Sequence, residues 1–116
     1  MSPPDCLFCK ISEGRIPAKI VYRDALCLAF EDLHPQAPTH VLFIPLRHIA
    51  SVNDLAPEDR ETVGHLAWAA AQFAKEKGLA AAGYRLVLNT NSDAGQTVFH
   101  IHQHLLAGRS LHWPPG

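Results

Sequence analysis

Residues 57–78 constrain the fold most, because they form the clearest helical segment of the chain. Pro57 suits the first helical position, Glu58 and Asp59 favour the positive end of the dipole, and Gly78 can close the helix left-handed. Val63, Leu66, Ala67, Ala70, Phe73 and Ala74 recur at helical spacing as an apolar stripe, and its alanines permit close approach to a sheet. Short strand-like runs surround it, at residues 20–22, 26–30, 39–45, 84–89 and 101–107. Val41-Leu42-Phe43-Ile44 is apolar on both faces, which suits a central strand. A shorter helix is predicted over residues 6–13, capped by Asp5 and closed by Gly14. Strands in runs around one long helix predict an α+β architecture: a five-stranded antiparallel sheet with one long and one short helix.

At 116 residues the chain is expected to be one domain, 1–116, with a real core. A net charge of −1 argues against a nucleic-acid polymer as partner, which would require a basic stripe. No apolar run reaches the roughly 18 residues of a membrane helix, and Met1-Ser2-Pro3-Pro4-Asp5 lacks the pattern of a signal peptide. Three cysteines are an odd number, so a disulfide framework is not expected and a reducing, cytoplasmic setting is. The tail carries Trp113 between prolines and His112. Its two prolines exclude regular structure, while so large an apolar side chain is expected to dock, for instance on a second copy.

Phe99-His100-Ile101-His102-Gln103-His104-Leu105-Leu106 places histidines at every second position. In a strand, positions i, i+2 and i+4 share a face at about 6.8 Å per step. The spacing therefore predicts three imidazoles in one space, each needing partners for its ring nitrogens. A metal site, a catalytic or anion site, and a structural strand with exposed histidines all fit this pattern. No nearby Asp or Glu is available to complete a catalytic metal set. Upstream, residues 89–97 are rich in turn formers and donors, which suits a phosphorus-centred anion.

These residues resemble the histidine triad (HIT) family, in its Hint branch of nucleoside phosphoramidate hydrolases. The likeness spans the chain: Ile16-Pro17-Ala18-Lys19-Ile20, Asp32-Leu33-His34-Pro35-Gln36-Ala37-Pro38-Thr39-His40, Gly95 through Leu106, and the ending Trp113-Pro114-Pro115-Gly116. His104 at the third signature position is Hint-like, whereas other branches usually carry Gln there. The resemblance implies that His102 is the nucleophile, that His104 contacts the phosphoryl or leaving group, as an imidazolium if charged, and that His40 is a further active-site histidine. It places Asn89, Gly95, Gln96 and Thr97 at the phosphate, Asp32 on the ribose hydroxyls, and Phe8, Ile11, Ile16 and Leu42 around the base. Trp113 joins this substrate-binding set. Asp32 opening a proline turn, and the apolar four as plain core, are the competing readings.

Cys6 and Cys9 form Cys-x-x-Cys. A redox pair would want a thioredoxin-like context that is missing; two structural thiols, or a structural Zn²⁺, are the remaining readings. The resemblance implies Cys6, Cys9, His48 and His100 as the zinc set, a closed tetrahedral site. Cys27 is expected to be small core, and His65 a surface or interface residue. The family likeness further implies a homodimer, paired through the long helix, near Trp68, and through an extended sheet. The activity this likeness implies is hydrolysis of the P–N bond of purine nucleoside 5′-phosphoramidates, AMP or GMP conjugates including aminoacyl- and lysyl-AMP-type adducts, through a nucleotidyl-histidine, with no metal required for catalysis. Dinucleoside polyphosphate hydrolysis, and a nucleotide-binding module with little turnover, are the alternatives.

Overall fold

A computed structural model describes residues 3–116; Met1 and Ser2, part of the N-terminal run read above, lie outside it. In chain order the elements are α1 (Leu7–Ser12), β1 (Ile20–Arg23), β2 (Cys27–Glu31), β3 (Thr39–Pro45), α2 (Arg60–Glu76), β4 (Tyr84–Leu88), α3 (Asn91–Ala94) and β5 (Gln103–Ala107). The strands form one antiparallel sheet in the order β1-β2-β3-β5-β4. This is the α+β arrangement expected, with the apolar β3 at its centre.

Alternation along the strands assigns the two faces. Cys27, Ala29, Val41, Phe43, Leu105 and Ala107 pack with Leu66, Ala69, Ala70 and Phe73 of α2. The intervening Leu28, Phe30, Leu42 and Ile44 pack with Phe8, Cys9 and Ile11 of α1. Because Leu105 and Ala107 face α2, the two-residue period turns His104 to the α1 face, opposite Leu42 in register. His40 shares that face for the same reason. Phe43 is fully buried and edges onto Phe73 at 5.8 Å; truncating it to Ala would cost about 3–5 kcal/mol.

The long helix is entered through a 3₁₀ turn, Pro57–Asp59. Asp59 is nearly inaccessible, accepting from the Ala56 amide at 2.8 Å and pairing with Arg47. Gly78, at φ +72°, ends the helix as expected while the Leu79 amide returns to Ala74 O at 2.8 Å. Two expectations about the helices need correction. Ala69 is buried where the stripe named Ala67, which is exposed. Cys6, rather than Asp5, caps α1, its sulfur accepting from the Cys9 amide at 3.3 Å.

The final strand is shorter than predicted. It begins at Gln103, so His100, Ile101 and His102 precede the ladder. The Ile101 amide is drawn instead to Ile49 O at 2.7 Å, which takes this segment out of register with β3. Residues 89–97 contain one helical turn, α3, closed by Gly95 at φ +87°, a conformation that favours glycine.

Candidate active site

A cavity of about 720 Å³ opens on the α1 face of the sheet. Its apolar walls include Phe8, Ile11, Ile16, Phe30 and Leu42; Asp32, Thr97, His102 and His104 are among its polar groups, beside Lys19, Glu31 and His34. All four apolar residues singled out in the sequence therefore line one space with three of the groups expected to meet ribose and phosphate.

Main-chain partners dictate the protonation of the imidazoles. His102 Nδ1 lies 2.9 Å from His100 O. A carbonyl only accepts, so Nδ1 carries the proton and the neutral ring keeps its lone pair on Nε2. In His40 the order is reversed, because the Gln36 amide donates to Nδ1 at 3.0 Å and the proton must sit on Nε2. That Nε2 lies 2.9 Å from His104 Nδ1, so His104 accepts there and holds its own proton on Nε2. The rings of His102 and His104 are 5.0 Å apart. One residue thus offers a lone pair and its neighbour an N–H.

Burial lowers the basicity of all three. It is the main cause for His102, opposed by the bond to His100 O, and for His40, opposed by Asp32 at 3.5 Å. Burial, then His102 and His40, push His104 down to about 4. At neutral pH His104 is therefore a neutral donor, not the imidazolium considered from sequence. Asp32 accepts from the His34 amide through Oδ1 at 2.8 Å.

The three histidines do not share one space. His100 is fully buried on the other side of Phe8, whose ring edges onto both His100 (6.0 Å) and His102 (5.1 Å). Its Nε2 donates to Pro45 O at 2.9 Å, leaving the Nδ1 lone pair 3.4 Å from both Cys6 Sγ and Cys9 Sγ. Cys9 Sγ is also 3.4 Å from His48 Nδ1, and all four ligand atoms lie within 4.8 Å of one another. A tetrahedral zinc with ordinary Zn–S and Zn–N bonds would separate sulfur from nitrogen by about 3.5 Å. The donor set, its spacing and the outer-shell bond from His100 to Pro45 all fit such an ion.

Other expected residues are placed elsewhere. Asn89, Gly95, Gln96, His40 and Trp113 are not among the cavity's lining residues. Gln96 is buried as a brace, its amide bonding Ala50 O and Val98 O and its oxygen accepting from the Asn91 amide. His40 acts on the cavity through His104. Trp113 is 83% exposed, joined to Pro114 by a cis bond, and its segment is held by Arg85, which donates to His112 O at 2.9 Å. The docking expected of it therefore does not occur within this chain.

Sequence reading missed a clasp on the opposite face. Asp24 accepts from Tyr22 Oη (2.8 Å) and His65 Nε2 (2.6 Å), and from the amides of Leu26 and Cys27 (2.9 Å each). Burial opposes ionisation of Asp24, but these four donors outweigh it and hold its carboxyl well below the usual carboxylate range. Cys27 is core as expected, its thiol pushed up to about 12 by burial. The Asp at the start of the turn was the available signal, as an Asx turn; its partner forty-one residues on was not.

A five-stranded antiparallel sheet with a histidine pair held in complementary tautomers beside an apolar pocket defines the class, and the HIT domain family profile matches residues 13–111. The chain belongs to the HIT family. It is 49% identical over 107 residues to the purine nucleoside phosphoramidase of Escherichia coli K12, covering 92% of this chain and 90% of that protein. It is 51% identical over 112 residues to an uncharacterised HIT-like protein of Synechococcus elongatus, covering 97% of each. Among solved structures, a HIT family hydrolase from Legionella pneumophila superposes with a TM-score of 0.94 at 53% identity, covering 97% of this chain and 100% of that one. A histidine triad protein from Clostridium difficile gives 0.94 at 44% identity, covering 97% of both chains.

Proposed function

We propose that this protein hydrolyses the P–N bond of purine nucleoside 5′-phosphoramidates through a nucleotidyl-His102 intermediate. The observation that carries this reading is the fixed pairing of tautomers: a lone pair on His102 Nε2 beside an N–H on His104 Nε2. His102 Nε2 attacks the phosphorus while its Nδ1–H stays on His100 O, which stabilises the charge that the ring acquires. His104 donates to a phosphoryl oxygen where negative charge gathers. The P–N bond breaks, and the amine leaves after taking one proton from solvent. Water then attacks the phosphorus and returns one proton to solvent, and the P–Nε2 bond breaks, releasing the nucleoside monophosphate and restoring the Nε2 lone pair. Phe8, Ile11, Ile16 and Leu42 would hold the base, and Asp32 the ribose diol. Thr97 would meet the phosphate from the cavity wall, with Asn89, Gly95 and Gln96 shaping the loop behind it.

In the same reading Cys6, Cys9, His48 and His100 hold a structural zinc. It would supply cross-linking of α1 to the segment before β5, with no open position for chemistry. The active form is a homodimer: Leu86 and Leu88 on the edge strand β4, and Trp68 at 54% exposure on α2, leave apolar surface for a second copy. A cytoplasmic setting suits a chain whose cysteines form no disulfide among the described residues, none of whose helices is long and apolar enough to cross a membrane.

The test is a side-by-side assay of an adenosine phosphoramidate and a diadenosine polyphosphate. The reading expects the P–N substrate to be cleaved at least tenfold faster in kcat/KM. Equal or reversed rates would overturn it.

A further inference from the structure

Gln36 is exposed in the loop between β2 and β3, yet its amide is the group that sets the tautomer of buried His40. A main-chain donor at the surface can turn to water unless the residue that carries it is held. Arg109, just past β5, supplies the hold. Its Nε and Nη2 both donate to Gln36 O, at 3.1 and 2.9 Å, while its Nη1 donates to Ser110 O at 2.9 Å. Bonds from a guanidinium are charge-assisted and stronger than neutral ones. Sheet register explains how a residue seventy-three positions away arrives there. Thr39 pairs with Ala107, so Pro38 and Gly108 meet one step beyond the ladder. Gly108 has φ +97°, and a Cβ built on it would lie 2.8 Å from Pro38 Cβ, so only glycine fits.

A path therefore runs from Arg109 to Gln36 O, from the Gln36 amide to His40 Nδ1, and from His40 Nε2 to His104 Nδ1. Asp32 stands 3.5 Å from the same His40 Nε2, farther than any of these bonds. We propose that Arg109 is a positioning residue of the active site: by pinning Gln36 it keeps the His40 proton on Nε2, and so keeps His104 an N–H donor toward the phosphoryl group. Arg109 is not among the cavity's lining residues and acts only through this path. Its effect on rate rests on the phosphoramidase reading, whereas the tautomer it fixes is read without turnover.

Nitrogen chemical shifts of His104, and steady-state kinetics on an adenosine phosphoramidate, are measured for wild type, Arg109→Ala and Arg85→Ala. Arg109→Ala should show mixed His104 tautomers and a kcat about fivefold lower, the scale of one net hydrogen bond, with KM within twofold of wild type. Arg85→Ala loosens the tail at His112 O without touching Gln36, and should leave the His104 shifts unchanged. Unmixed shifts in Arg109→Ala, whatever its rate, would overturn the proposal, as would equal mixing in Arg85→Ala. Mixed tautomers with an unchanged kcat would overturn it too. Mixed tautomers in Arg109→Ala, beside a wild type that cleaves no phosphoramidate, would instead sink the hydrolase reading and support the clamp on the tautomer.

Discussion

His102 Nδ1 donates to the main-chain carbonyl of His100 at 2.9 Å, so the residue proposed as nucleophile takes its tautomer from the residue two positions before it. The His100 ring is in turn fixed by Pro45 O and set among Cys6, Cys9 and His48. Neighbouring members of one motif thus divide between two sites, and the backbone between them is the link.

The reversed bond from the Gln36 amide makes His40 the residue that keeps His104 a donor. Replacing His40 by Ala frees His104 Nδ1 and lets its proton move there. The expected result is a fall in kcat of roughly 10- to 100-fold, the scale of one lost charge-stabilising hydrogen bond, with KM within threefold of wild type. Nitrogen chemical shifts should show His104 Nε2 protonated in the wild type and mixed tautomers in the variant. An unmixed variant spectrum with full kcat would count against the relay.

Asp32 should act on the sugar. With Oδ1 engaged by the His34 amide, the carboxylate is still able to accept from a ribose diol. Asp32→Ala is expected to lower kcat/KM for adenosine phosphoramidates about tenfold or more and to change the 2′-deoxy substrate far less. The ratio of the two substrates decides the point, and an unchanged ratio argues against a ribose contact.

Much of the fold was legible because period-two and period-3.6 patterns were unambiguous in β3 and α2. The apolar walls and Asp32 were found through the family likeness, and one cavity holds them. What the pattern misassigned was His100. Strict alternation assumed that the strand ran through it, whereas the Ile101 amide bonds Ile49 O, a contact between segments fifty-two residues apart. The tautomers were illegible for a related reason. They depend on Gln36 N–H, His100 C=O and Pro45 C=O, main-chain groups present at every position and given meaning only by the fold. Gln96 read as a phosphate ligand but is spent bracing the chain, since a buried amide must satisfy its own donors.

Metal content offers a separate check. Elemental analysis of purified protein should find about one zinc per chain, and Cys9→Ser should lose it. Loss of a structural ion is expected to lower Tm by more than about 5 °C, equivalent to roughly 1 kcal/mol in a domain of this size. Wild-type protein containing no zinc, with the same Tm as Cys9→Ser, would argue against the Cys₂His₂ assignment.

Acid should destabilise the fold through His104. Burial first, then His102 and His40, hold that imidazole at about 4 in the native state, against 6.5 ordinarily. Between those values the unfolded chain binds a proton that the folded chain refuses. Stability is therefore complete above about pH 6.5 and is lost as pH falls towards 4. In His104→Gln that component disappears, so its urea midpoint should move less between pH 7 and 4.5 than the wild type's. Equal displacements would show that His104 contributes nothing to acid sensitivity.

The central claim is nucleophilic attack by His102, and His102→Asn tests it most directly, because Asn retains a donor for His100 O while lacking the Nε2 lone pair. Single-turnover rates on an adenosine phosphoramidate are measured beside the dissociation constant of AMP. The expected result is a rate at least about 1,000-fold below wild type with AMP affinity changed by less than threefold. Turnover within tenfold of wild type would contradict the mechanism.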